Sequence, residues 1–198
     1  MMWQVVPLSD ANSDDALLAR YAAGDASAAA DLAQRHGPRV IGLAWRMLND
    51  RAEAEDVAQE AMLRLWKIAP DWEAGRAQVS TWLYRVVNNL CTDRLRKARR
   101  SMIGLDGIEE PADPSPSAAD MMLRAARDAA LNEALGALPA RQRQAVVLRH
   151  IEGQTNTEIA AIMDISVEAV ESLTARGKRA LARSLAARRA ELGFENDR

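Results

Sequence analysis

Residues Ser80 to Arg100 read STWLYRVVNNLCTDRLRKARR, and their spacing decides how the chain is organised. Leu83, Val86, Val87 and Leu90 recur at helical intervals and make an apolar stripe suited to a small core. Roughly opposite stand Trp82, Arg85, Asn89, Thr92 and Arg96, and the run closes on Arg94, Arg96, Lys97, Arg99 and Arg100. A flat π surface, base-reading groups and phosphate-binding cations on one helix are the materials for gripping a nucleic-acid strand. The same residues would also make a solvated basic helix with a tryptophan at its edge. The neighbours of this stretch have to choose between the two.

Immediately before it, Asp71 to Val79 reads as a loop containing Trp72, Gly75, Arg76 and Gln78, with Pro70 ending the preceding helix and Ser80 capping the next. That preceding helix starts at Asp50, an N-cap with Glu53 placed for a capping-box-like pair. Its buried side reads Ala54, Val57, Ala58, Ala61, Met62 and Leu65. Asp56, Gln59, Glu60 and Leu63 fall on the other side. A leucine among carboxylates favours a partner-docking face, because docking commonly joins an apolar contact to complementary charge. Further upstream, Ser13 caps a helix that Gly24 closes, and Asp25 caps another expected to run to His36. Gly37-Pro38 is expected to interrupt it, with Pro38 opening a third segment through Val40, Leu43, Ala44, Met47 and Leu48. His36 then reads as a helix-end residue. These helices make one compact domain over residues 13–100, behind a loose tail at 1–12.

Downstream, residues 101–118 carry glycines, prolines, serines and clustered acids that cannot support a packed core, so they read as a flexible acidic linker. Helix returns from Ala119, breaks at Leu138-Pro139 and resumes from Ala140 to His150, with Gly153 closing that segment. Residues 156–175, NTEIAAIMDISVEAVESLTA, fit a helix-turn-helix. Ala160 is the small residue at the helix crossing, and Ile159, Met163, Ile165, Val170 and Leu173 are the inner apolar set. Asp164 stands at the turn, where a left-handed backbone is common and Asp tolerates it. Ser166 can cap the second helix. Its outward positions include Glu168, Ala169, Glu171, Ser172, Ala175 and Arg176, followed by Lys178, Arg179 and Arg183, a register able to meet base edges and phosphates. Glu168 and Glu171 are unhelpful near phosphates, and Gly177 weakens the helix by about 1 kcal/mol relative to alanine. The second domain spans 119–190, with a tail at 191–198.

Composition agrees with two small helical domains. Hydrophobic residues make up 48% and charged residues 27% of the 198, the apolar set is mainly Ala, Leu and Val, and no alternating strand pattern occurs, so the class is all-α. A net charge of −2 does not announce a nucleic-acid binder, but the charges are segregated. Residues 50–73 and 106–120 lean acidic while 94–100 and 176–189 are basic, which suggests separate surfaces with separate partners. Cys91 is the only cysteine, which excludes an intramolecular disulfide framework and a thiolate metal cluster. No zinc-type histidine spacing, phosphate loop or nucleophile motif appears, so no metal, cofactor or catalytic residue is expected. No apolar run of about 18 residues and no signal pattern is present, and a reducing cytoplasm is the simplest location.

The order of these features resembles the sigma-70 family of bacterial transcription initiation factors, in its short extracytoplasmic-function group. EDVAQEAMLRLW is similar to the family's core-polymerase-binding helix, and STWLYRVVNNLCTDRLRK to its promoter-melting helix. The stretch from Leu138 to Leu181 resembles its C-terminal DNA-binding domain. The resemblance implies that Asp56, Gln59 and Glu60, with Leu63 beside them, dock on the β′ clamp helices of core RNA polymerase, while the second domain meets the β flap. It implies that the loop with Trp72, Arg76 and Gln78 captures a flipped promoter base. Trp82, Arg85, Asn89, Arg96 and Lys97 would then recognise and melt the minus-ten element, and the helix after Ser166 would read the minus-thirty-five element. An anti-sigma protein is an implied partner. A basic residue near Glu171 and an alanine near Gly177 are the family's habit, and this chain departs from both. The competing reading is a helix-turn-helix regulator that binds a palindromic duplex as a dimer, with residues 13–100 as sensor or dimer domain.

Overall fold

The computed structural model describes residues 12–101, 118–186 and 188. Residues 1–11, 102–117 and 191–198, on which the expected tails and acidic linker fall, lie outside the described residues. Every described element is helical: α1 (Asp14–Ala22), α2 (Ala26–Leu48), α3 (Arg51–Ile68), a short 3-10 turn (Ala69–Asp71), α4 (Val79–Ser101), α5 (Ala118–Gly136), α6 (Ala140–His150), α7 (Asn156–Met163) and α8 (Val167–Ala186).

Local signals start most of these helices. Ser13 accepts the Ala16 N–H at 3.2 Å, Asp25 accepts that of Ser27 at 2.9 Å, and Asp50 accepts that of Glu53 at 2.9 Å. Glu53 does not reach back to complete a capping box; its carboxylate pairs with Arg94 of α4 instead. The complete box belongs to α7, where Thr155 and Glu158 bond reciprocally. Ser80 is not the cap of α4, because the helix already begins at Val79 and Ser80 lies within its first turn.

Helix α2 departs most from expectation. It runs unbroken through Gly37-Pro38. An interior proline costs a helix about 3 kcal/mol. Leu32 lies before it and Val40, Leu43 and Met47 after it, all essentially fully buried in one core. Burying each such side chain is worth about 1.5–3 kcal/mol, so the continuous helix wins. His36 is consequently a mid-helix residue, 5% exposed, with Nε2 2.8 Å from Asp14 of α1. Leu17, Leu18, Leu65 and Leu83 complete the core of this first half.

In the second half α6 and α8 pack closely. A Cβ on Gly177 would stand 2.5 Å from Val146 Cγ2 and 3.2 Å from the Gln142 carbonyl, so the glycine that weakens α8 locally is what lets it reach α6. On α5 the inward residues are Ala130, Ala134 and Leu135, while Ala126 and Ala129 are exposed.

The halves meet: α2 packs against α5 and α6, and α4 against α7. Arg143, 8% exposed, joins them by donating to the Met47 carbonyl at 2.6 Å and to the Gly136 carbonyl. Those carbonyls belong to the C-terminal ends of α2 and α5, where a cation is favoured by the helix dipole.

Candidate nucleic-acid interface

Loop and α4 meet at a tryptophan pair. Trp72 and Trp82, both half-buried, stand edge to face with centroids 6.2 Å apart and planes at 87°. Trp72 donates its indole N–H to Asp15 Oδ1 at 2.8 Å, and Gly75, with φ +77°, donates its backbone N–H to Asp15 Oδ2 at 3.1 Å. Residues Glu73 to Gln78 face solvent, and Arg76 pairs with Glu73 at 2.9 Å. A cleft of about 670 Å³ opens beside the loop, lined among others by Asp15, Arg35, Arg39, Arg76 and Gln78. The sequence pointed to Trp72, Arg76, Gln78 and Trp82. It did not point to Asp15, whose two acceptor roles depend on residues nearly sixty positions away.

Along α4 the inward face carries Leu83, Tyr84, Val87, Asn88 and Cys91. Arg85, Asn89 and Arg96 are exposed, as their outward register required; Lys97, in register with Val86 and Leu90, is exposed where α4 passes Asp56 and Gln59 of α3. Arg96 also pairs with Asp93 at 2.9 Å, an exposed contact of little energetic weight. Arg94 does not join the cationic group, since its guanidinium is held by the Glu53 carboxylate and carbonyl of α3. Cys91 is fully buried, and burial pushes its thiol up to about 12, which leaves it inert.

The middle of α4 is covered by the second half. Tyr84 donates its hydroxyl to Glu152 at 2.9 Å, and Gln144 donates its amide to Thr92 Oγ1 at 2.8 Å. Burial, reinforced by the Glu152 carboxylate, drives the Tyr84 pKa far above its ordinary value, so the hydroxyl remains a donor. Asn88, Asn89, Thr92 and Arg96 line a cleft whose other wall is Ala140, Arg141, Gln144 and Met163.

On α3, Asp56 and Gln59 are exposed, Glu60 is partly exposed and bonded to Arg64 at 2.8 Å, and Leu63 is 54% exposed. These four residues share a groove with Arg94 and Lys97 of α4. An apolar side chain is thus presented inside a ring of charge, the composition expected of a docking face.

The helix-turn-helix is formed by α7 and α8. Asp164 takes the left-handed conformation, φ +54° and ψ +56°, and Ser166 accepts the Ala169 N–H at 3.3 Å. The two awkward acids are tied within the module. Glu168 is held below the usual carboxylate range by its own backbone N–H and by Ser166, and Glu171 accepts from Asn156 at 3.4 Å. Arg176 donates to Ser172, while Lys178 and Arg179 are exposed. The outward face of α8 therefore offers cations along its later turns, with its acids engaged near the helix start.

Among the described residues no helix is long and apolar enough to cross a membrane, and no group of His, Cys, Asp and Glu could hold a metal ion.

Comparison with known proteins bears on both halves. The family model for Sigma-70 region 2 matches residues 32–101, and that for Sigma-70 region 4 matches residues 128–181. The ECF RNA polymerase sigma factor SigW of Bacillus subtilis is 30% identical over 171 residues, covering 82% of this chain and 91% of the relative. The ECF sigma factor SigM of Mycobacterium tuberculosis is 34% identical over 173 residues, covering 87% and 85%. Among solved structures, CnrH in complex with the cytosolic domain of CnrY aligns with a TM-score of 0.64 at 28% identity, covering 88% of this chain and 97% of that one. The sigma factor RpoE, in complex with the anti-sigma factor NepR from Bartonella quintana, shares the fold with a TM-score of 0.64 at 22% identity, over 79% and 97% of the two chains.

Proposed function

This chain belongs to the sigma-70 family, in its extracytoplasmic-function group, and from that premise we propose a division of labour among its surfaces. It is an alternative sigma factor. Residues 13–100 act as region 2 and residues 119–190 as region 4. In the cytoplasm Asp56, Gln59, Glu60 and Leu63 dock on the clamp helices of core RNA polymerase, and region 4 meets the flap of the β subunit. The exposure of Leu63 amid those polar side chains is the observation that carries the docking.

On promoter DNA, α8 sets register on the minus-thirty-five duplex through Ser166, Glu168, Ala169, Glu171, Ser172, Arg176, Lys178 and Arg179. Arg176, Lys178 and Arg179 supply the phosphate contacts, which makes binding strongly salt-dependent. At the minus-ten element the exposed loop with Trp72, Arg76 and Gln78 takes an extruded base. Trp82, Arg85, Asn89, Arg96 and Lys97 hold the strand beside it. Unstacking costs a few kcal/mol per step, and stacking or pocketing a base returns about 1–3 kcal/mol, so a few captured bases tip a nearly balanced opening. The bond chemistry belongs to the polymerase. For the whole length of α4 to meet DNA, the cleft between α4 and α6 must widen, so engagement of polymerase and promoter parts the two halves. An anti-sigma protein is the partner expected to hold the factor idle; the similar CnrH is found in complex with the cytosolic domain of CnrY.

The test is transcription from a promoter library by purified core polymerase with and without this protein. Stimulated initiation from a subset sharing two elements is expected. Specific duplex binding with no stimulated initiation would overturn the reading.

A further inference from the structure

The exposed loop before α4 is tied to the rest of the molecule by one carboxylate on α1. Asp15 Oδ1 accepts the Trp72 indole N–H at 2.8 Å, and Oδ2 accepts the Gly75 backbone N–H at 3.1 Å. The two donors sit at the start and the tip of the loop, so one side chain sets both its origin and its turn. Trp72 passes that placement to α4 through its edge-to-face contact with Trp82. Asp15 is itself well placed. Ser13 caps α1, and the adjacent Asp14 holds Arg35 at 2.6 Å and His36 at 2.8 Å on α2. Asp14 fastens α1 to the core while Asp15 fastens the loop to α1.

Resting on the base-capture reading above, we propose that Asp15 is the positioning residue that presets this loop for one promoter base and so sets discrimination at that position. Each of its oxygens already accepts from a protein donor of the loop, and the role assigned to it is to hold that loop. It fixes where Arg76 and Gln78, which line the adjoining cleft with Arg35 and Arg39, stand when the base arrives. Ordering a loop costs conformational entropy for every residue fixed. A loop fixed beforehand meets that cost in folding, leaving base contacts to be expressed as affinity and selectivity. A carboxylate suits the task, because bonds to a charged acceptor are about twice as strong as neutral ones.

The test uses the full chain assembled with core polymerase. Fluorescent single-stranded minus-ten oligonucleotides carry each of the four bases at each position in turn. Asp15→Ala is expected to lower discrimination at one position by about tenfold, with polymerase assembly and minus-thirty-five duplex binding unchanged. Asp15→Asn keeps the shape of the side chain and replaces one acceptor oxygen by a donor, so a smaller loss at the same position is expected. Unaltered discrimination in Asp15→Ala would overturn the proposal. Should Asp15→Ala fail to fold, Asp15→Asn decides, and wild-type selectivity there refutes the anchor. A wild-type holoenzyme indifferent to the base at every position would instead refute base capture itself, and this role with it.

Discussion

The beginning and the middle of α4 are built on opposite plans. The loop leading into its first turn faces solvent and is fastened from within its own half, by Asp15. The middle turns are fastened from the other half, where Glu152 holds Tyr84 and Gln144 holds Thr92. One helix thus carries a part already open to solvent and a part that is uncovered only when the halves separate. The contacts across that seam are of two kinds. Directional hydrogen bonds gather around Arg143, and apolar side chains of the second half, Leu135, Leu148 and Ile159 among them, join the same buried cluster as the leucines of α1 to α4. The polar contacts can be exchanged for bonds to a partner, while the apolar ones must be covered again when the halves part.

Breaking the seam at Arg143 should have the largest effect. Its guanidinium holds the carbonyl ends of α2 and α5 together, and leaving a buried acceptor unsatisfied typically costs about 1–3 kcal/mol for each group. Arg143→Ala is expected to lower stability in denaturant by about 3 kcal/mol and to enlarge the radius of gyration measured by small-angle scattering. An unchanged radius would remove Arg143 as the fastener and blur the contrast between the covered and open parts of α4.

Gly177→Ala tests whether the covering half is a rigid unit. Alanine improves helix propensity by about 1 kcal/mol. The new Cβ meets Val146 on a buried helix, and overpacking typically costs about 1–3 kcal/mol. A net loss of about 1 kcal/mol is expected in thermal unfolding. A rise in melting temperature would mean that α6 yields to α8, and that the cover over α4 is softer than its packing implies.

Tyr84→Phe is the smallest probe. It removes one hydrogen bond at the seam and keeps the buried ring, for a loss of about 1 kcal/mol. Fluorescence energy transfer between dyes on α3 and α8 should report a slightly looser pairing of the halves, with base discrimination by the loop intact. Impaired discrimination would show that the two parts of α4 are coupled, against the separation drawn above. Because burial keeps the Tyr84 hydroxyl protonated, the effect should be constant between pH 6 and about 9.

The exposure of several candidate residues was legible from spacing alone. Leu63 was singled out by its place among carboxylates, and it is exposed; Arg85, Asn89 and Arg96 were assigned to the outer face of α4, and they are exposed. Asp164 was expected to turn left-handed, and it does. Arg94 was grouped with the closing cations by its charge, although its register follows Leu83, Val87 and Leu90, and α3 supplies the Glu53 that occupies it. Thr155 was overlooked although Thr-x-x-Glu is a local signal that could have revealed it.

The sequence by itself determined the all-helical class, most helix starts and the helix-turn-helix, because these rest on residues within a turn or two of one another, and the family, through the order in which such local motifs follow along the chain. Caps, periodicity and a left-handed Asp act over three or four positions, and short-range physics suffices for them. Only the tertiary structure decided that α2 passes through Pro38, that His36 lies buried against Asp14, that Arg143 closes the seam and that Gly177 is a contact and not a flaw. It also decided that Asp15 holds a loop 57 residues away from it at Trp72. In each of these the deciding partner lies on another helix, so the energy that overrides or completes the local preference has no periodic trace along the chain.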